Sequence, residues 1–281
     1  MLARAKINLY LHVTGKRADG YHLLDSLIVF AETGDALSAA AAERLTLAID
    51  GPFAQGLESG PENLVLRAAE GLRQLTGTRQ GAVIRLVKNL PIASGIGGGS
   101  ADAAASLRLL CDLWRVAPEE SALMRLAAEL GADVPVCLAG RPSFVGGIGE
   151  EIAPAEGLPR CWLLLVNPRV ATPTPAVFKA RRGDFSLPGR WTEAPRDFAD
   201  LVRRLSACRN DLTAAASEVT PAIRDVLAAL ESLPGCALAR LSGSGATCFG
   251  LFADEAAARL ALRAVQSRYP AWWSVAAALA A

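Results

Sequence analysis

The chain has 281 residues, 52% of them apolar and 20% charged, with 29 basic and 28 acidic side chains and a formal net charge of +1. That composition buries a core and excludes wholesale disorder, and the near-neutral balance excludes the concentrated basic surface of a nucleic-acid binder. No apolar run reaches the ~18 residues of a membrane helix, and Met1–Lys6 enters a strand pattern without the apolar segment of a secretory leader.

Ala5 to Val13 alternates Ile7, Leu9, Leu11 and Val13 with Lys6, Asn8, Tyr10 and His12, which predicts a strand with one polar face. A turn over 15–20 follows, and Tyr21-His22 leads into an apolar run to Phe30. Strands are predicted over 45–49 and 83–87, and a helix over Asn63–Leu75 ends at Gly77. After the segment 91–100 come helices over 101–114 and from about Pro118 to Leu130, the second stopping at Gly131. The Gly- and Pro-rich stretch 140–156 places a boundary near residue 155. Beyond it the pattern predicts strands at 162–166, 237–241 and 248–252, helices at 197–205, 220–230 and 255–268, and a closing strand. An α+β fold in two parts, 1–155 and 156–281, fits this order better than regular βαβ winding. The six cysteines form no CxxC pair, and with two histidines near the N-terminus they make no metal-ligand cluster. Reduced thiols in a cytoplasmic protein are expected.

The most informative segment is Pro91, Ile92, Ala93, Ser94, Gly95, Ile96, Gly97, Gly98, Gly99, Ser100 and Ala101. Its glycines let backbone N–H groups turn toward a ligand with no Cβ in the way. The helix beginning near Ala101 adds unpaired donors and the positive end of its dipole, which together suit phosphate oxygens. Ser100 would place a hydroxyl on a phosphate or its magnesium ion. The P-loop pattern is absent, since no lysine follows the glycines, and a GxGxxG count from Gly95 puts Ser100 where the last glycine belongs.

Phosphoryl transfer to an alcohol needs positioning, charge stabilisation and a carboxylate to take the hydroxyl proton. Asp133, in a short linker after Gly131, is the best-placed carboxylate, with Pro135 favouring an extended Val134. A turn or cap aspartate is the competing reading. Lys6 reads equally as a cleft residue or a solvated edge lysine. The small-residue turn 241–247 either presses on phosphates or the first glycine loop, or is a tight turn of the fold.

Taken together, the Lys6 strand, the 91–104 loop and Leu241–Cys248 resemble the GHMP kinase superfamily. Within it, AKINLYLHVTGKRADGYHLLDSL at 5–27, GADVPVCLAG at 131–140 and Pro173-Thr174-Pro175 with Phe178 are similar to the branch acting on a cytidine-bearing isoprenoid precursor. The resemblance covers essentially the whole chain. It implies a first domain like ribosomal protein S5 domain 2 and a ferredoxin-like second domain. It implies Asp133 as general base and Lys6 as its charged neighbour, residues 91–101 around the ATP phosphates, and Ser100 near Mg2+. Asn63, Leu64 and Lys88 would line the adenine pocket. Tyr21 and Phe178 would sandwich a cytosine ring, His22 would bond its polar edge, and Asn8 and Thr174 would hold the substrate's polar end. The implied substrate is 4-diphosphocytidyl-2-C-methyl-D-erythritol, with neither nucleic acid nor membrane as partner. Ala93-Ser94 and Ala101 depart from the usual loop pattern, which bears on metal and phosphate coordination. The rivals are a GHMP kinase for homoserine, mevalonate or a sugar, and a non-catalytic GHMP-fold binding protein. Oligomeric state is not legible.

Overall fold

A computed structural model of the chain describes residues 1–280. They form two compact units that interleave in sequence: Met1–Ala5, Thr33–Ile92 and Gly97–Gly140 make the first, and Lys6–Glu32, Ala93–Ile96 and Arg141 onward make the second. Two long strands, β1 (Leu2–Lys16) and β2 (His22–Ala42), contribute residues to both.

In the first unit the later half of β2 pairs antiparallel with a strand over Gly81–Val87, Ala36 opposite Val87 and Ala42 opposite Gly81. Between them in sequence lie β3 (Thr46–Asp50) and helix α1 (Leu64–Thr76), so the Gly81–Val87 strand is β4; β3 pairs parallel with it. Helix α1 buries Val65, Ala68, Ala69 and Leu72, the i, i+3, i+4, i+7 stripe of an amphipathic helix. Asn63 caps its start and Gly77, at φ 69, ends it. Helices α2 (Gly98–Trp114), α3 (Glu120–Leu130) and α4 (Val134–Ala139) complete the unit. The α2 helix is alanine-rich on its buried side, which allows close approach to α1, and Trp114 Nε1 donates to the Gly81 carbonyl at 3.2 Å.

The second unit joins the early half of β2 to β5 (Ser143–Gly147), itself paired with β6 (Glu151–Pro154). Its other sheet is antiparallel. Strand β7 (Trp162–Asn167) is followed by helices α5 (Thr174–Ala180), α6 (Phe198–Ser206), α7 (Thr213–Val219) and α8 (Ala222–Glu231). Then come β8 (Leu238–Leu241), β9 (Cys248–Phe252), α9 (Glu255–Arg268) and β10 (Trp273–Ala278), in sheet order β10-β7-β9-β8. A split βαβ of this order is the ferredoxin-like arrangement expected for the second domain. Its core gathers Leu164, Val166, Ile223, Val226, Phe252, Ala258 and Val265.

Several local expectations change. The stretch 140–156 is a hairpin, because Ser143, Phe144 and Val145 are buried against β2 and propensity yields to that burial. Residues 134–139 are helical where an extended Val134 was expected, since Pro135 sits in the first turn, where its missing N–H has no helical partner to lose. The expected helix 220–230 is α8, Ala222–Glu231, and an additional helix, α7, precedes it at Thr213–Val219.

Candidate active site

The polar face of β1 is not solvated. Lys6 is 4% exposed and Asn8 3%, which removes the edge-lysine reading. Lys6 Nζ donates to Asn8 Oδ1 at 2.9 Å, and Asn8 Nδ2 donates to Ser26 Oγ at 2.8 Å. A buried lysine ammonium is kept only where oxygens face it.

The same face holds both small-residue loops. The Lys6 amide donates to the Ile96 carbonyl at 3.0 Å, and the Asn8 amide to Ser242 Oγ at 3.2 Å. Ser242 Oγ donates to the Gly95 carbonyl at 3.0 Å, and the Thr247 amide to the Ser94 carbonyl at 3.0 Å. A Cβ on Gly95, whose φ is 76, would lie 2.4 Å from the Ser242 carbonyl oxygen. The two loops are therefore one object, and the 241–247 turn presses on the first glycine loop. Thr174, the first residue of α5, bonds Ser244 Oγ through its hydroxyl at 2.7 Å. Asn8 and Thr174, far apart in sequence, thus hold the same turn.

In the first unit the glycines do what their spacing implies. Helix α2 begins at Gly98, three residues earlier than predicted, after Gly97 at φ 64. The first helical bond runs from the Ala101 amide to the Gly97 carbonyl at 2.8 Å. The amides of Gly98, Gly99 and Ser100 consequently have no partner within the helix, at the positive end of its dipole. Leu64 Cδ1 lies 3.6 Å from where a Cβ on Gly99 would be, so Leu64 borders these amides. Asn63 is a cap: its Oδ1 accepts from the Val65 amide at 3.0 Å and its Nδ2 donates to the Glu58 carbonyl at 2.8 Å.

Asp133 precedes α4 in this unit, and its carboxylate makes no capping bond to the helix. The side-chain cap reading of Asp133 therefore fails, and the turn reading stands beside the general-base one.

Lys88 differs from the pocket-lining residue expected. Its side chain is 4% exposed, and its ammonium donates to Asp35 Oδ2 at 2.5 Å and Asp102 Oδ2 at 2.7 Å. Burial works against that charge, yet Asp102 and Asp35 outweigh it and hold the lysine pKa above its usual value. Burial, only partly offset by Lys88, pushes the Asp102 carboxyl well above the usual carboxylate range, and Asp35 adds to the shift. Asp35 and Asp102 carried no sequence signal beyond being acids in apolar, alanine-rich surroundings.

In the second unit the ring stacked on Phe178 is His22, with centroids 5.1 Å apart and planes at 28°. Tyr21 next to it is 62% exposed. Burial, and after it the Lys16 and Arg181 cations, lower the His22 pKa below the usual histidine value. Lys16 and Arg181 are the cations that act on the His22 ring of this pair.

Residues 63–141 match the family described as GHMP kinases N terminal domain, and residues 192–271 the family described as GHMP kinases C terminal. The chain belongs to the GHMP kinase family. A relative from Paramagnetospirillum magneticum named 4-diphosphocytidyl-2-C-methyl-D-erythritol kinase is 55% identical over 271 residues, 96% of this chain and 95% of the relative. Among solved structures, 4-(cytidine 5'-diphospho)-2C-methyl-D-erythritol kinase superposes with TM-score 0.80 at 31% identity, covering 100% of this chain and 99% of the other. Homoserine kinase from Cytophaga hutchinsonii gives TM-score 0.67 at 20% identity, covering 100% and 95%, and shares the fold alone. No described helix of this GHMP kinase is long and apolar enough to cross a membrane. Among its described residues no three His, Cys, Asp or Glu side chains gather as a metal site. Ser100, in the first turn of α2, carries a hydroxyl oxygen of the kind that suits Mg2+.

Proposed function

We propose that this GHMP kinase transfers the γ-phosphoryl group of ATP to the 2-hydroxyl of 4-diphosphocytidyl-2-C-methyl-D-erythritol, as part of isoprenoid precursor synthesis in the cytoplasm. The observation that carries the phosphoryl-transfer reading is the first turn of α2, where three consecutive residues offer amides without helical partners and two of them lack a Cβ. The choice of alcohol is supported by the 55% identical relative and by the His22–Phe178 pair. Thiols throughout are consistent with a reducing compartment, for no disulfide joins the six cysteines among the described residues. We keep 1–155 and 156–281 as the two functional domains.

Residues 91–101 hold the triphosphate through backbone amides, and Asn63 and Leu64 border the nucleotide. Asp133 accepts the proton of the 2-hydroxyl as its oxygen attacks phosphorus. Lys6 offsets the negative charge that spreads over the transferred group. Ser100 would hold a Mg2+ brought in with the nucleotide, and the ion would supply neutralisation of phosphate charge. Tyr21, His22 and Phe178 hold the cytosine by stacking and edge bonding, while Asn8 and Thr174 hold the polar end.

The test is ADP release from Mg-ATP with this alcohol, homoserine, mevalonate and galactose in parallel. Turnover with the cytidyl alcohol alone, reduced about 10²–10⁴-fold by Asp133→Ala, is the expected result. Turnover with another alcohol sinks the cytosine pocket, and ATP binding without any turnover points to a non-catalytic binding protein.

A further inference from the structure

Lys88, Asp35 and Asp102 form a buried cluster with no assigned purpose in the reaction. Three observations locate it. The Asp35 carboxylate uses its second oxygen, Oδ1, to accept the amides of Asn89 at 2.6 Å and Leu90 at 2.9 Å, fixing the chain as it leaves β4 toward the glycines. A Cβ on Gly98 would lie 3.4 Å from Lys88 Nζ and 3.6 Å from Asp35 Oδ2, so the cluster touches the first residue of α2. Asp102, one turn on, ties that helix to the same ammonium. Lys88 is itself anchored by its backbone, its amide on the Asp50 carbonyl at 2.7 Å and its carbonyl accepting from the Phe53 amide at 3.1 Å.

Stability is a weak explanation for such a cluster. Apolar side chains of similar volume commonly stabilise a fold as well as a buried ion group does. Moreover, Asp102 Oδ1 is buried with no hydrogen-bond partner, so the group is not optimised as a folding element. What it does by geometry is grip both ends of a segment that cannot hold its own shape. Glycines lose more conformational freedom on ordering than any other residue, and a binding loop that must be ordered by its ligand loses affinity to that ordering.

We propose that Lys88, Asp35 and Asp102 act as positioning residues that preset the start of α2 for the ATP phosphates, an inference resting on the reading of that helix start as the phosphate site. Lys88 thus serves the nucleotide through the loop, with its own ammonium already engaged.

The variants are Asp102→Asn, which keeps shape and the Lys88–Asp35 pair, and the double Lys88→Met with Asp102→Asn, which removes two of the three buried charges and leaves Asp35 on the Asn89 and Leu90 amides. Each is assayed for melting temperature, for Mg-ATP binding by calorimetry, and for KM of both substrates. The expected result is a folded protein whose Mg-ATP Kd and KM rise about tenfold to a hundredfold while KM for the alcohol stays put. Unchanged Mg-ATP binding in either folded variant overturns the proposal, as does an equal rise in both KM values. Gly97→Val separates the two readings. If it retains Mg-ATP binding, the phosphate site lies elsewhere and the proposal falls with it; if it loses binding while Asp102→Asn does not, only the positioning role falls. Amide exchange on the unmodified protein needs no variant to fold: the Leu90 and Ala101 amides should be protected at least about tenfold over unstructured glycine-rich chain before nucleotide is added, and protection that appears only with ATP overturns presetting.

Discussion

Replacing Gly95 by alanine should disable the protein by separating two loops, and the size of the effect can be worked from its surroundings. A Cβ there would meet the Ser242 carbonyl oxygen at 2.4 Å, the Gly245 nitrogen at 2.7 Å and the Gly245 oxygen at 2.8 Å. All three are backbone atoms, so no rotamer change relieves the clash. Alanine at φ 76 costs roughly 1–2 kcal/mol in left-handed strain. Driving the turn away breaks the Ser242 Oγ to Gly95 and Thr247 to Ser94 bonds, worth roughly 1 kcal/mol each. The sum is about 3–4 kcal/mol, or roughly 6–16 °C in melting temperature at ~2–4 °C per kcal/mol. The same loss expressed at the transition state lowers kcat/KM by about two orders of magnitude or more, at ~1.4 kcal/mol per factor of ten. Thermal unfolding followed by circular dichroism, and ADP release, measure the two. Gly99→Ala is the companion, since its Cβ meets only Leu64 Cδ1 at an ordinary 3.6 Å; its stability should change by no more than ~1 kcal/mol. A Gly95→Ala protein that melts and turns over like its parent would refute the argument that the loops are one object.

The His22 imidazole should titrate below the usual histidine range, and Arg181→Met should move its midpoint up, because a nearby cation disfavours the charged ring; a proton NMR titration in which the midpoint falls or stays fixed contradicts this. Asp211 is buried, which raises its pKa, but Arg209, the Val13 amide and Ser186 outweigh that and hold it below the usual range. Its contribution to stability is therefore present above the unfolded-state carboxylate pKa and lost as pH falls through the folded value; Asp211→Asn should flatten that acid slope in urea unfolding, and an unaltered slope speaks against it. Asp25→Ala removes the acceptor of Tyr10 OH at 2.8 Å, the Gly189 amide at 2.7 Å and Arg190 Nε at 2.5 Å. It should lower stability by about 3–5 kcal/mol, and a loss under half of that would mean water replaces the carboxylate. Cys161, whose thiol burial pushes up to about 12, should resist alkylation at neutral pH until the chain unfolds; rapid labelling of the folded protein would show that site to be open.

Much of the fold was legible where one signal dominated. The alternation of β1, the stripe and cap of α1 and the glycine run before α2 each carry a period or turn residue that local chemistry enforces. Less legible were features decided by partners far along the chain. Ser143–Gly147 reads as loop because Gly and Pro surround it, yet it is a strand held by β2. Asn8 and Lys6 were ambiguous because burial of a polar face depends on Ser242, Ser26 and Ile96, none of them local. The linear boundary near 155 was drawn from composition, whereas the compact units interleave because β1 and β2 are long enough to serve both. Asp35 and Asp102 left no trace, since a lone acid in an apolar run looks the same whether it faces solvent or a buried lysine.

The contact of Ser94 and Gly95 with Ser242 and Thr247 joins residues about 150 positions apart, which gives it a meaning during synthesis. At ~5–20 residues per second, roughly 8–30 s pass between translation of the glycine segment and translation of the turn that backs it. Through that interval a nascent chain carries the whole glycine sequence without the support that shapes Ser94–Ile96, so nucleotide capture by a half-made chain is disfavoured. A ribosome stalled before Ser242 should accordingly display a chain that does not retain ATP, and competence should arrive late and abruptly, with the last 40 residues of the 281.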